Sequence, residues 1–207
     1  MDTKAATGIP TAILLISFIL VGATAASVII GNTENSQEFD YNKILKDTIH
    51  EISTYIKVDD VIGKYSSTSE NQYINKIAIL IKPLYSTNID ISNVLIKINN
   101  GEKIRILSNN NYAELIKNYS IFEHPLWNMI KENEYSVISI LDKDRSINNH
   151  NIINDNTDTS YLIVKLPKDL TIKKGETIEI TLILPAGTSK TIYLEAPLPI
   201  QPIVSLN

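Results

Sequence analysis

The 207-residue sequence contains no cysteine, so it has no disulfide framework and no thiolate to act as ligand or nucleophile. Histidine is scarce, and His50, His124 and His150 share no motif spacing. No nucleophile elbow, phosphate loop or zinc pattern is present, and on these grounds the chain is read as a non-enzyme. An excess of positive charge is missing too. Nineteen Lys and Arg, scattered along the chain, face 23 Asp and Glu for a net charge of −4. That balance is not the electrostatic footprint of a nucleic-acid binder. The length suits one domain plus an extra element.

What the sequence does have is a long uncharged run from Ala5 to Thr33, AATGIPTAILLISFILVGATAASVIIGNT. Ile9 to Ile30 alone meets the roughly 20 apolar residues that span a bilayer as a helix. Within it lies a small-residue cluster, Gly22-Ala23-Thr24-Ala25-Ala26-Ser27. Small side chains let helix backbones approach, so Gly22, Ala23, Ala25 and Ala26 are expected at close helix–helix contacts. Met1-Asp2-Thr3-Lys4 in front of the run is a charged stub of the kind seen in targeting segments. Three fates fit it. A short leader, residues 1–5, is trimmed and the run is kept. Alternatively the run is a secretory signal cut between Ala25 and Ala26, or it is a plain anchor kept whole.

After Gly31 the helical period persists in a more polar setting. Phe39, Tyr41, Ile44, Leu45, Ile49, Ile52, Tyr55 and Ile56 recur at three- and four-residue steps, with charges between them. This predicts an amphipathic helix, either lying on the following domain or continuous with the first run. In the second case residues 6–57 form one N-terminal assembly helix and residues 58–207 a separate β domain. Alternating apolar residues predict strands at 73–81, 94–98, 103–107, 134–141, 160–166, 177–184, 191–194 and 203–206. Asn99-Asn100-Gly101 marks a hairpin turn. The stretch 112–131 reads as a short helix and a loop around Pro125-Leu126-Trp127. Eight short strands punctuated by proline predict an α+β chain whose second part is an immunoglobulin-like all-β sandwich, with a lipocalin-like barrel as the weaker alternative.

Four stretches carry a resemblance. Ala6-Thr7-Gly8-Ile9-Pro10-Thr11 and the apolar run look like the start of a processed type IV pilin-like subunit. Ile89-Asp90-Ile91-Ser92-Asn93-Val94, Glu134-Tyr135-Ser136-Val137 with Leu141-Asp142-Lys143-Asp144-Arg145-Ser146, and Leu184-Pro185-Ala186-Gly187-Thr188 through Ala196-Pro197 resemble the archaellins, the archaeal flagellins. The resemblance implies a structural subunit of the archaeal motility filament, the archaellum, polymerising through the N-terminal helix. It implies removal of the leader between Ala5 and Ala6, with Ala5 standing where the family has glycine. It also implies insertion in the cytoplasmic membrane before assembly, and an extracellular filament afterwards. Its partners would be itself, with or without paralogous subunits, a leader peptidase, a membrane platform and an assembly ATPase. An adhesive archaeal type IV pilin and a membrane-anchored or secreted β-sandwich surface protein are the alternatives.

Two further features belong to the outer domain. Asp142-x-Asp144-x-Ser146, with Asp155 and Asp158 downstream, has the oxygen donors for a hard cation such as calcium. It lacks the glycine and closing glutamate of an EF-hand loop, and a solvated acidic loop is the competing reading. Asn118-Tyr119-Ser120 is the single N-x-S/T sequon. Archaellins are commonly N-glycosylated, which makes Asn118 the expected carrier.

Overall fold

A computed structural model describes residues 13–21, 56–66, 72–185, 187–197 and 201–206. The chain divides into two units, Met1–Ile49 and His50–Asn207.

In the first unit residues 13–21 form a helix, α1. Its sequence, ILLISFILV, has one polar side chain, Ser17, whose hydroxyl donates back to the Ile13 carbonyl at 2.8 Å. That bond satisfies the hydroxyl within the helix and leaves only apolar groups on its surface. Among the described residues no helix is long and apolar enough to cross a membrane. The rest of the expected long helix up to residue 55 lies outside the described residues.

The second unit is built from twelve described strands: β1 (Ile56–Tyr65), β2 (Tyr73–Pro83), β3 (Ile89–Asp90), β4 (Leu95–Asn99), β5 (Ile104–Leu115), β6 (Glu134–Leu141), β7 (Ile152–Ile153), β8 (Thr159–Lys165), β9 (Ile172–Lys173), β10 (Thr177–Ile183), β11 (Ser189–Glu195) and β12 (Ile203–Ser205). A short helix, α2 (Ser146–His150), lies between β6 and β7. The expected helix does not reach Lys57. Ile56 and Lys57 already pair with Pro83 and Lys82 in β1, and Ile56 is buried in the strand domain's core.

The main sheet has the order β11-β10-β4-β5-β6-β8-β2-β1-β12, with β9 beside β2; β3 and β7 pair separately. A sandwich needs two hydrogen-bonded sheets, and here the main strands form one. The cause is β5. It runs past Leu107 to Leu115 and pairs in parallel with β6, Ala113 opposite Val137. That pairing joins β11-β10-β4-β5 to the remaining strands. The sheet is curled, because Val61, Ile79, Ile96, Val137, Ile180 and Leu194 share one core although they come from strands far apart in the order. Its two ends touch, with the Glu195 N–H donating to the Leu206 carbonyl at 3.3 Å and the Leu206 N–H to Val61 at 2.9 Å.

Strand faces follow the two-residue period except at bulges. In β2, Lys76 pairs with Lys64 but Ile74 with Tyr65, so Asn75 is an extra residue. It puts Ile74 in the same core as Ile77 and Ile79, contrary to the simple alternation that sets Ile74 on the opposite face. Gly63 sits nearby because a Cβ there would stand 2.9 Å from Ile74 Cγ2 and 3.0 Å from Leu206 Cδ1.

The outer face of β2, β6 and β8 carries a second core, Ala78, Ile138 and Ile163, covered by Phe122, Leu126, Trp127 and Ile130. The expected short helix between 112 and 131 is instead the end of β5 followed by two 3-10 turns, Ile121–Glu123 and Pro125–Asn128. Buried His124 organises the second turn. Its Nδ1 accepts the Leu126 N–H at 3.3 Å, which leaves Nε2 to donate to the Leu115 carbonyl at 3.3 Å. The Trp127 indole donates to Ile121 at 2.8 Å. His124 is therefore a cap and a core side chain.

Candidate functional site

β6 and β8 are antiparallel, with Leu141 opposite Thr159. The residue after β6, Asp142, and the residue before β8, Asp158, therefore emerge at the same end of the sheet. The connection between them folds tightly. Arg145 and Asn151 take left-handed conformations, φ 62 and φ 55, at the two ends of α2. The Asp144 carboxylate accepts the Ser146 N–H at 3.0 Å and holds the entry to α2.

This folding brings together three of the four aspartates marked in the sequence, Asp155 lying outside the group. One carboxylate oxygen from each of Asp142, Asp144 and Asp158 lies within 4.8 Å of the others. Asp142 and Asp158 are buried and Asp144 is exposed. Asp158 accepts the N–H groups of Asn154 and Asp155 at 3.0 and 3.1 Å, and Asp144 accepts the Asn154 side-chain amide at 2.7 Å. Asp142 Oδ2 accepts the Asn148 N–H at 3.1 Å, while its buried Oδ1 has no partner. Asn148 and Asn154 were not singled out in the sequence. The signal for Asn154 lay in the run Asn154-Asp155-Asn156-Thr157-Asp158, which folds back on its own carboxylates.

The electrostatics diverge within the cluster. Burial pushes the Asp142 carboxyl up, with the neighbouring Asp144 and Asp158 carboxylates adding to it. Asp144 is pulled down to about 2, chiefly by the Asn154 amide and the Ser146 N–H. Asp155 is held below its ordinary value by the Thr157 N–H and hydroxyl. A cleft of ≈ 200 Å³ lined by Lys143, Asp144, Asn154, Asp155 and Asp158 opens beside the group. Oxygen donors alone, one of them a buried and orphaned carboxylate oxygen, fit a hard divalent cation such as calcium. The group has none of the nitrogen and sulfur donors that dominate zinc sites.

Asn118 is exposed in a turn after β5, where the Tyr119 N–H bonds to Ile116 at 3.2 Å and Lys117 has φ 49. His150 is exposed at the end of α2, and His50 lies outside the described residues. Ala5, Ala6, Gly22, Ala23, Ala25 and Ala26 also lie outside them.

The most unusual surface belongs to α1. Ile13, Leu14, Leu15, Ile16, Phe18, Ile19, Leu20 and Val21 are all between 56% and 72% exposed. The strand domain, in contrast, buries most of its large apolar side chains in two cores. Completing the burial of eight such side chains is worth roughly 10 kcal/mol. A helix with this surface is built to be covered.

Comparison with known proteins identifies the family of the chain. The archaeal-type flagellin family matches residues 5–194. Flagellin B1 of Thermococcus kodakarensis is 36% identical over 113 residues, covering 50% of this chain and 38% of that protein. Flagellin B3 of Methanocaldococcus jannaschii is 31% identical over 150 residues, covering 70% and 68%. Among solved structures, archaeal flagellin FlaB1 from Methanocaldococcus jannaschii superposes with TM-score 0.63 at 22% identity, covering 73% of this chain and 95% of that one. A chain from the archaeal flagellum of Methanospirillum hungatei gives 0.53 at 12% identity, covering 93% and 95%. With most of its length matched, this chain belongs to the archaeal-type flagellin family.

Proposed function

We propose that this chain is a structural subunit of the archaeal motility filament and that it polymerises through its N-terminal apolar run. The carrying observation is α1, whose eight large apolar side chains stand exposed in one unbroken stretch, whereas the strand unit buries most of its described apolar side chains in two cores. Bilayer and helix bundle offer similar apolar surroundings, so one stretch serves for storage in the membrane and for packing in a filament. Such a filament is a heterologous, non-closing assembly sheathed by the strand domains. The small residues Gly22, Ala23, Ala25 and Ala26 would sit where neighbouring helices approach most closely.

On this reading the leader is cut between Ala5 and Ala6, the apolar run stays attached, and the subunit enters the cytoplasmic membrane before export. A leader peptidase, a membrane platform and an assembly ATPase act on it. The immunoglobulin-like description is kept only for the way the arms of the curled sheet face each other across one core. Asp142, Asp144 and Asp158 hold calcium, supported by the converging carboxylate oxygens and the orphaned Asp142 Oδ1. Asn118 carries an N-linked glycan, supported by its exposure in a turn.

Two measurements test the central reading. Filaments are imaged on the source cells, and this chain is identified in them by mass spectrometry. Intact mass of the native chain then locates its first residue. A start at Ala6 in filament material is the expected result. A start at Ala26 leaves a chain without its assembly run and removes the proposal.

A further inference from the structure

β1, β2 and β8 lie side by side, and their registers place three lysines in one row: Lys64 opposite Lys76, and Lys76 opposite Lys165. Like charges directly opposite one another on neighbouring strands oppose pairing. The row is on the outward face, beside Ala78 and Ile163 of the second core, and Lys76 Nζ stands 4.8 Å from the centre of the Trp127 ring. Among the described residues none of the three forms an ion pair, although Lys57, Lys82, Lys97, Lys103 and Arg105 all do. Burial and the two flanking lysines disfavour the charged form of Lys76. The row thus concentrates positive charge that the described part of the domain does not neutralise.

The opposite charge sits at the other end of the same strand. Lys165 is the last residue of β8, and Asp158 immediately precedes its first, Thr159. Six steps of about 3.3 Å separate the two ends by roughly 20 Å. At the far end Asp144 and Asp155 are exposed and line one cleft with Lys143 and Asp158. Along β8 the lysine row therefore stands about one strand length from a group of four aspartates, Asp142, Asp144, Asp155 and Asp158, which outnumber Lys143 and Arg145 beside them.

We propose that in the filament the lysine row of one copy docks onto the Asp144–Asp155 end of the next, a head-to-tail contact between strand domains. Complementary patches at opposite ends of one domain make a heterologous contact, which repeats as an open filament wherever its rotation does not close a ring. Charge complementarity fixes its register and discourages the inverted arrangement, in which like ends would meet. Asp155 is outside the carboxylate trio proposed to hold calcium, so the contact keeps an anion when that site is filled. The proposal rests on the filament reading. Failure of that reading shows separately, as absence of filaments from the unaltered chain.

The test uses full-length chains expressed in cells lacking the native subunit, with filaments counted by electron microscopy. One variant carries Lys64→Glu and Lys165→Glu, and the other Asp144→Lys and Asp155→Lys. Each alone should give filaments reduced by about tenfold or more, because each brings like charges together at every repeat. Expressed together they should restore filaments, since each altered end then meets an opposite charge on the other variant. Restoration also demonstrates that both variants fold. Normal filaments from the lysine variant alone overturn the proposal. Loss from both variants without restoration on co-expression overturns the pairing of these two ends.

Discussion

Asp142→Asn separates a calcium site from a solvated acidic loop. In the strand unit the Asp142 carboxylate is buried beside two others, and one of its oxygens has no protein partner. Its pKa is raised, so it favours folding while protonated, and that contribution is lost as the pH rises through its folded-state value. At neutral pH without metal the ionised form is therefore a burden. Asparagine removes the charge and can still accept the Asn148 N–H. In chelator the variant should melt no lower than the unaltered unit at pH 7, and any advantage should shrink on acidification as Asp142 itself takes up a proton. Asp144 has the opposite sign. Its pKa is lowered to about 2, so its contribution is present above the ordinary carboxylate range and lost as the pH falls through about 2. Calcium reverses the order of the two chains. At a free concentration about 100 times Kd, binding to the folded state adds about 2.7 kcal/mol. For a domain of this size that is a rise of roughly 5–10 °C in melting temperature. The assay is calorimetry of the His50–Asn207 unit with calcium and with chelator, for both chains. The expected result is a calcium-dependent rise in the unaltered unit that is absent from Asp142→Asn. Equal melting of the unaltered unit in both conditions refutes the site, as does a full rise in the variant.

Three other substitutions probe different parts of the molecule. Gly63→Ala brings a Cβ to 2.9 Å from Ile74 and 3.0 Å from Leu206, and should cost about 1–3 kcal/mol in urea unfolding. An unchanged midpoint would mean that β1 and β12 part freely. Phe18→Asp places a charge on α1 at a position 72% exposed in the isolated helix, and should abolish filaments seen by electron microscopy while leaving the strand unit's circular dichroism unchanged. Asn118→Gln should remove a glycan-sized mass increment without changing melting, and a mass change no larger than the one methylene that the substitution adds would show that the turn carries nothing.

Several strands were legible because apolar alternation and turn residues agreed. Glu134–Leu141 matches its expected limits, and Asn99-Asn100-Gly101 forms the expected hairpin, with Gly101 at φ 87 and both asparagine side chains capping backbone N–H groups. β1 was missed because Asp59 and Asp60 interrupt its apolar pattern, and only Lys57 and Lys82 on either side make Asp59 acceptable there. The end of β5 was missed for a related reason. Ser108-Asn109-Asn110-Asn111 has the composition of a turn, yet its side chains bond to nearby backbone and allow β5 to resume beside β6. Joining two halves of a sheet through one parallel pair is a long-range event with no local signature. The aspartate trio was legible as residue types. That Asp142 and Asp158 share one end of the sheet followed only from the β6–β8 register.

The pairing of β12 with β1 has a consequence in time. Ile62 lies opposite Ser205, and Val204 and Leu206 fill the core beside the domain's first strand. These partners are about 140 residues apart, a separation that makes closure slow compared with formation of a helix. At 5–20 residues per second, roughly ten seconds or more of synthesis pass between the first partner and the second. Throughout that interval the apolar run has already been synthesised, while the sheet still lacks the strand that seals it. Synthesis of the run and completion of the strand domain are thus successive events, ordered by the position of one short strand in the chain.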